Sequence, residues 1–290
     1  PFLWVLLFYF MTGLWIWKKN GQNRHIRISL AYVIMIILIW IPMARRKSLA
    51  FLDVGQGDCF VADTKSGAII FDGGSSSEDQ VGRYRILPYM KYLGYQKIQI
   101  AVISHMDIDH YSGIKELLEM GKIKYLGLPE IPKDETMKKI IGIAKKRGTT
   151  IFYLSRGRQI TTKDGSLKVL HPQKNSQMEK NAASLVMQGK ILGYRVLLTG
   201  DVEKEGEEEL LSEELERADI LKAAHHGSKN STSNEFLQKV QPKQTVISCG
   251  KQNRYGHPHL ETIHRLQTYR TKIYRTDRSG AIIFFKRRDG

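Results

Sequence analysis

Two His and two Asp fall within six consecutive positions, His105-Met106-Asp107-Ile108-Asp109-His110, directly behind Ser104 and the apolar run 98–103. Neutral imidazoles and carboxylates are the ligands that divalent ions such as Zn or Mn accept. At the tip of a strand, side chains two positions apart point the same way. His105 and Asp107 can therefore hold one ion, while Asp109 and His110, entering the turn that leads to Tyr111-Ser112-Gly113, reach a second. The plain alternative is a polar loop of capping and solvated residues. Four ligand-type side chains in six positions argue against it.

Three further clusters share this design, with polar residues just past an apolar strand. Leu197-Leu198-Thr199-Gly200-Asp201 ends in one carboxylate, whose two oxygens suit it to bridge a pair of cations. Its bland reading is an N-cap for the helix that follows. Lys222-Ala223-Ala224-His225-His226-Gly227-Ser228 places two imidazoles after another strand, with Gly227 allowing close backbone approach. Tyr255-Gly256-His257-Pro258-His259 is the last. A lone His is more often a satisfied core or surface group than a ligand. That reading fits His25, His171 and His264 well, and the clustered His225, His226, His257 and His259 poorly.

An α/β domain from about residue 48 must position these groups. Period-two and turn signals predict strands over 49–54, 59–63, 68–71, 125–128, 150–154, 167–170, 185–188, 194–198, 220–223, 245–248, 273–275 and 281–285. Helical spacing predicts helices over 83–93, 113–120, 134–147, 203–211, 233–240 and 260–268. Strands before helices in each half imply two sheets with helices outside. No solenoid repeat, heptad seam or low-complexity tract interrupts the pattern. The acidic stretch 203–216 reads as a solvated helix face.

The chain opens on Pro, which reads as a fragment of something longer. Residues 1–48 carry seven basic and no acidic side chains, and runs 2–17 and 28–43 are almost wholly apolar. Each run falls short of the roughly 20 residues a bilayer span needs. Snorkelling of Arg27, Arg45 and Arg46 extends the second, and Trp4, Trp15, Trp17 and Trp40 sit near the ends as interfacial anchors do. Two membrane segments in residues 1–47 are therefore expected ahead of a domain spanning 48–290. Lys18, Lys19, Arg24 and Arg27 between the runs outnumber Arg45, Arg46 and Lys47 after them, which tips the domain to the extracytoplasmic side. Past residue 48 the chain holds 38 basic against 29 acidic residues, an excess that favours polyanions. Cys59 and Cys249 are the only cysteines, and without a C-x-x-C they read as buried thiols rather than a zinc or redox motif.

Asp72-Gly73-Gly74, the run from His105 to His110, Thr199-Gly200-Asp201 and His225 fall in an order and spacing that resembles the metallo-β-lactamase superfamily. With Asp53-Val54-Gly55-Gln56-Gly57-Asp58, Asn181-Ala182-Ala183-Ser184-Leu185-Val186, His225-His226-Gly227-Ser228 and Gly256-His257-Pro258-His259, the chain looks like the C-terminal domain of ComEC-type competence proteins. The resemblance implies an αββα sandwich, preceded by the last two transmembrane helices of a DNA-uptake channel in a bacterial cell membrane. It also implies a dinuclear site. His105 and Asp107 would hold the first metal, Asp109 and His110 the second, with Asp201 bridging and His225 completing the second site. Asp72 would orient ligands from behind, and Asp58 and Ser184 would support them. Asp107 and Asn181 stand where most relatives have His; both exchanges favour harder ions such as Mn over Zn.

The function this implies is metal-assisted hydrolysis of phosphodiesters in DNA, held by its backbone without regard to sequence. His226 or His257 would contact the phosphate or protonate the leaving oxygen, and Asp109 would orient the attacking water. Membrane lipid and other competence proteins would be its neighbours. Two alternatives stand beside this: a membrane-tethered lactonase or small-molecule phosphodiesterase on the same scaffold, and a non-catalytic domain that binds DNA or braces the channel.

Overall fold

The computed structural model describes residues 46–178, 181–213 and 215–287, together with 8, 9, 12, 13, 30 and 32–34. The chain separates into two compact units, Pro1–Arg46 and Lys47–Gly290. The segments expected at 2–17 and 28–43 lie almost entirely outside the described residues, and among those described no helix is long and apolar enough to cross a membrane.

Within the second unit the strands are β1 (Ser48–Phe51), β2 (Phe60–Thr64), β3 (Gly67–Phe71), β4 (Ile98–Val102), β5 (Ile123–Pro129), β6 (Thr150–Leu154), β7 (Gln159–Thr162), β8 (Gly165–His171), β9 (Val186–Ile191), β10 (Tyr194–Leu198), β11 (Ile220–Lys222), β12 (Gln244–Ile247), β13 (Lys272–Arg275) and β14 (Ile282–Phe285). The helices are α1 (Leu87–Tyr92), entered through a π-helical turn at Gly82–Ile86, α2 (Ile108–Glu119), α3 (Glu135–Lys146), α4 (Lys204–Leu211), α5 (Asn234–Val240), α6 (Leu260–Thr268) and α7 (Thr276–Ser279). One sheet runs β14-β1-β2-β3-β4-β5-β6 and the other β13-β12-β11-β10-β9-β8-β7. Each is antiparallel at one end and parallel at the other, with β3 to β6 and β10 to β13 the parallel runs.

Alternation along the strands separates the layers. Leu49, Phe51, Phe60, Phe71, Leu185, Met187, Val196 and Leu198 fill the space between the sheets. Ala50, Leu52, Val61 and Ile70 face the other way, against Ile86, Met90, Ile114 and Leu117 of the helices over the first sheet. Leu170, Leu197 and Leu221 pack on Leu210, Phe236 and Leu266 outside the second. Each sheet therefore buries both faces, giving the αββα order, and the chemistry is left to the strand ends.

Two local expectations differ from the fold. The helix after the His/Asp run begins at Ile108 rather than at 113, so Asp109 and His110 ride on its first turn. Tyr111-Ser112-Gly113 reads as a break, but Gly113 is kept inside the helix by crowding: a Cβ there would meet the Gly73 carbonyl oxygen at 2.6 Å. The sequence pattern predicts no strand over 159–162, because the short polar run Gln159-Ile160-Thr161-Thr162 of β7 gains its place only by pairing with β8.

Candidate metal centre

The loops after β3, β4, β10, β11 and β12 converge at one end of the sandwich, together with the loop before β2. Asp72, just past β3, adopts φ 56°, a left-handed conformation that Asp tolerates better than most residues. Its Oδ1 accepts the Ser104 N–H at 2.7 Å and its Oδ2 lies 2.9 Å from His110 Nδ1. Both Asp72 and His110 are fully buried. With Nδ1–H donated to Asp72, His110 presents the lone pair of Nε2, which lies 3.2 Å from Asp201 Oδ2.

His226 repeats the arrangement from the opposite sheet. Its Nδ1–H is taken by the Ser248 carbonyl at 2.8 Å, and Nε2 lies 3.3 Å from Asp109 Oδ2 and 3.2 Å from Asp201 Oδ2. Asp109, His110, Asp201 and His226 thus bring one donor atom each to a common space, all within 4.8 Å of one another. Four donors around an ion at about 2.0–2.2 Å would stand roughly 3.3–3.6 Å apart, and the three imidazole–carboxylate pairs of the group stand 3.2–3.3 Å apart. The buried Nε2 atoms of His105, His110 and His226 have no hydrogen-bond partner. Buried polar atoms are rarely left so. The donor set fits a divalent cation.

The electrostatics point the same way. Burial alone would hold His110 and His226 neutral, yet Asp201 outweighs it, with Asp72 at His110 and Asp58 at His226, and both imidazoles sit well above their ordinary pKa. Burial pushes the carboxyls up, but the facing imidazoles overcome it: Asp201 falls well below its usual range and Asp109 drops to about 2.

The remaining expected residues are placed less uniformly. His105 lies beside this group, its ring 4.1 Å from that of His110, with Nδ1 held by Ser104 Oγ at 3.0 Å. Asp107 is half exposed, and its Oδ2 lies 3.7 Å from His105 Nε2. His225, named for the second site, has Nε2 3.8 Å from Asp201 Oδ2 and turns Nδ1 to within 2.8 Å of Glu203; the imidazole brought among Asp109, His110 and Asp201 is that of His226. His257 stands outside them, its ring 5.4 Å from His225 and 6.1 Å from His226. Burial and the neighbouring imidazoles of His226, His225 and His259 lower its pKa to about 4. Asn181 points its amide to Glu203 at 3.5 Å, and Ser184 Oγ accepts the Asp201 N–H at 3.3 Å. His171 is a satisfied core histidine, bonded to Ala182 O at 2.7 Å and to Glu209 at 3.0 Å.

Sequence reasoning misses Lys222, although a Lys inside the apolar run Ile220-Leu221-Lys222-Ala223-Ala224 is a visible anomaly. Its buried ammonium donates to Gly200 O at 2.8 Å and to Asp201 Oδ1 at 3.3 Å, and forms a close ion pair with Asp58. Asp58 in turn reaches His226 Nδ1 at 3.4 Å and His110 Nδ1 at 3.7 Å. Burial would raise the Asp58 pKa, but Lys222 and then His226 bring it below its usual value.

Residues 52–251 match the family model of the metallo-β-lactamase superfamily. Among curated proteins, the chain is 35% identical to ComE operon protein 3 of Bacillus subtilis, over 94% of this chain and 38% of that protein. It is 30% identical to competence protein ComA of Neisseria gonorrhoeae, over 82% of this chain and 32% of that one. The chain therefore spans about a third of the length of these relatives. Among solved structures, the metallo-β-lactamase fold protein YhfI from Bacillus subtilis superposes with TM-score 0.56 at 13% identity, over 81% of this chain and 99% of that one. That likeness concerns the fold alone.

Proposed function

Because this chain belongs to the metallo-β-lactamase superfamily, we propose that its centre is a metal-dependent phosphodiesterase that cuts DNA. The observation that carries this is the meeting of unpartnered, buried Nε2 atoms of His110 and His226 with Asp109 and Asp201. The substrate rests on the relative named as a competence protein, and on the basic excess past residue 48.

Asp109, His110, Asp201 and His226 would hold one divalent ion, and His105 with Asp107 a second, of looser grip. The carboxylate-rich set suits Mn at least as well as Zn. Such ions, when bound, supply Lewis-acid polarisation of a phosphoryl oxygen and acidify water. The protein's own groups do the rest. Asp72 and Ser248 fix the ring orientations of His110 and His226, so the donor set is formed before substrate arrives. With His226 drawn among the ligands, His225 and His257 are left at the rim to contact the phosphate, and Asp109, at the edge of the group, would also orient the attacking water. Backbone contacts from Lys and Arg would hold DNA without reading its sequence.

In the full-length protein this domain would follow membrane segments at 2–17 and 28–43, on the extracytoplasmic face of a bacterial membrane beside other competence proteins, and degrade one strand of incoming DNA. The test is cleavage of single-stranded DNA by the purified chain with added Mn, abolished in Asp201→Asn. Metal-loaded protein that hydrolyses a lactone or a mononucleotide ester yet leaves DNA intact over hours would overturn the reading.

A further inference from the structure

Beyond the ligand group, a row of planar side chains runs outward to the surface. The His257 ring lies 6.1 Å from that of His226 at an interplanar angle of 31°. Tyr255 stacks on His257 at 5.6 Å and 20°. The Arg254 guanidinium lies 4.9 Å from the Tyr255 ring centre and donates to its hydroxyl at 2.7 Å. Despite these neighbours, 42% of Tyr255 remains exposed.

The loop that carries the row is braced. Asn253 Oδ1 accepts the N–H groups of Tyr255 and His257 at 3.2 and 3.0 Å, while its Nδ2 donates to the carbonyls of Gly250 and His257 at 2.9 and 2.6 Å. Gly250 is pressed onto the loop before β2, where a Cβ would lie 2.7 Å from Gln56 N, and its N–H donates to Gln56 Oε1 at 3.1 Å. An aromatic ring held in the open on a braced loop, beside the Arg254 guanidinium and leading into the centre, is not explained by packing. It is what stacking on a planar, anionic ligand requires.

We propose that Arg254, Tyr255 and His257 form a stacking platform for unpaired nucleobases, so that the centre selects single-stranded over duplex nucleic acid. This rests on the phosphodiesterase reading above. A phosphodiester seated at the ligand group has its neighbouring base beside this row. In a duplex that base is already paired and stacked on its neighbours, whereas a single strand offers every base a free π-face. Arg254 adds attraction to the base and the adjoining phosphate without reading sequence.

The experiment is fluorescence anisotropy of the full chain, with Ca in place of Mn to prevent turnover, on a labelled single strand, an abasic strand of equal length and charge, and the corresponding duplex. Tyr255→Ala weakens binding of the base-bearing strand by about 5- to 100-fold, the equivalent of losing one stacked base. Tyr255→Phe retains it. The wild type binds the abasic strand and the duplex as weakly as Tyr255→Ala binds the single strand, and Tyr255→Ala costs nothing further on the abasic strand. Unchanged binding in Tyr255→Ala, or equal wild-type affinity for base-bearing and abasic strands, overturns the platform. A parallel Mn cleavage assay separates the two readings: no cleavage of any strand defeats the phosphodiesterase while leaving the base dependence of binding measured in its own right.

Discussion

The ammonium of Lys222 lies 3.3 Å from Asp201 Oδ1, while Asp201 Oδ2 lies 3.2 Å from the Nε2 atoms of both His110 and His226. The two oxygens of one buried carboxylate are thereby divided, one held by a fixed internal cation and the other turned to the ligand group. Lys222 also pairs with Asp58, and burial, which would lower its pKa, is outweighed by these two carboxylates. A built-in positive charge of this kind fixes where Asp201 points and lessens the charge that a metal must neutralise.

Replacing Lys222 by Met leaves Asp58 and Asp201 buried without their counter-charge. Breaking a buried pair from one side typically costs about 3–5 kcal/mol, so the metal-free variant should unfold at markedly lower urea than the wild type. Mn should then restore more stability to Lys222→Met than it adds to the wild type, because the ion takes over part of the role of the ammonium. Urea midpoints with and without Mn give both numbers. Equal Mn-induced gains in the two proteins would show that Lys222 does not act on the centre.

The two adjacent histidines should separate cleanly. His226→Ala removes a donor that stands 3.2–3.3 Å from two carboxylates, and Mn titrated calorimetrically should show at least a tenfold loss of affinity. His225→Ala, whose ring faces Glu203, should change Mn affinity by no more than a few-fold while slowing DNA cleavage. The reverse pattern would return the ligand role to His225.

That distinction marks where the sequence stops being readable. The His105–His110 run is legible because its groups are local, and an apolar strand announces where they sit. Asp201 is legible for the same reason. Which of His225 and His226 turns inward depends on backbone angles that residue type does not announce: φ is 46° at His225, 53° at His226 and 83° at Gly227. Successive left-handed residues cost about 1–2 kcal/mol each where the residue is not Gly, and only tertiary contacts hold them. Lys222 and Asp58 were illegible as a pair because 164 positions separate them, so neither explains the other until β11 lies beside the loop before β2.

The thiols should be inert. Burial, aided by Asp72 and Asp58, pushes Cys59 well above the usual thiol range, and burial, aided by Asp277, brings Cys249 to about 12. An aromatic disulfide reagent at pH 8 should label neither in the native protein and both in urea. A group whose pKa is raised on folding favours the native state fully only below its unfolded value, near 8.5 for Cys. Stability should therefore fall as pH rises from about 8.5 towards 12, and fall less steeply in Cys249→Ala. Rapid native labelling at pH 8 would contradict the burial on which this depends.

The strongest constraint on the centre is a contact between backbones. Gly73 N–H donates to His110 O at 2.8 Å, Ile114 N–H to Gly73 O at 2.9 Å, Gly74 N–H to Asp58 O at 3.1 Å, and Asp58 N–H to Asp109 O at 3.0 Å. The turn after β3, the loop before β2 and the first turn of α2 are laced into one unit. A Cβ on Gly74 would lie 2.6 Å from Asp109 C, His110 N and Ile108 O. No side-chain rotation relieves contacts made by backbone atoms, so α2 must shift and carry Asp109 and His110 with it. Gly74→Ala should cost about 1–3 kcal/mol, as overpacking does, and also lower Mn affinity at least tenfold. Gly94→Ala is the comparison: its φ of 77° strains any L side chain, but nothing lies within 4 Å of the new methyl. It should lose about 1–2 kcal/mol of stability and bind Mn as the wild type does. If both variants lose stability and neither loses Mn affinity, the backbone lacing does not position the ligands.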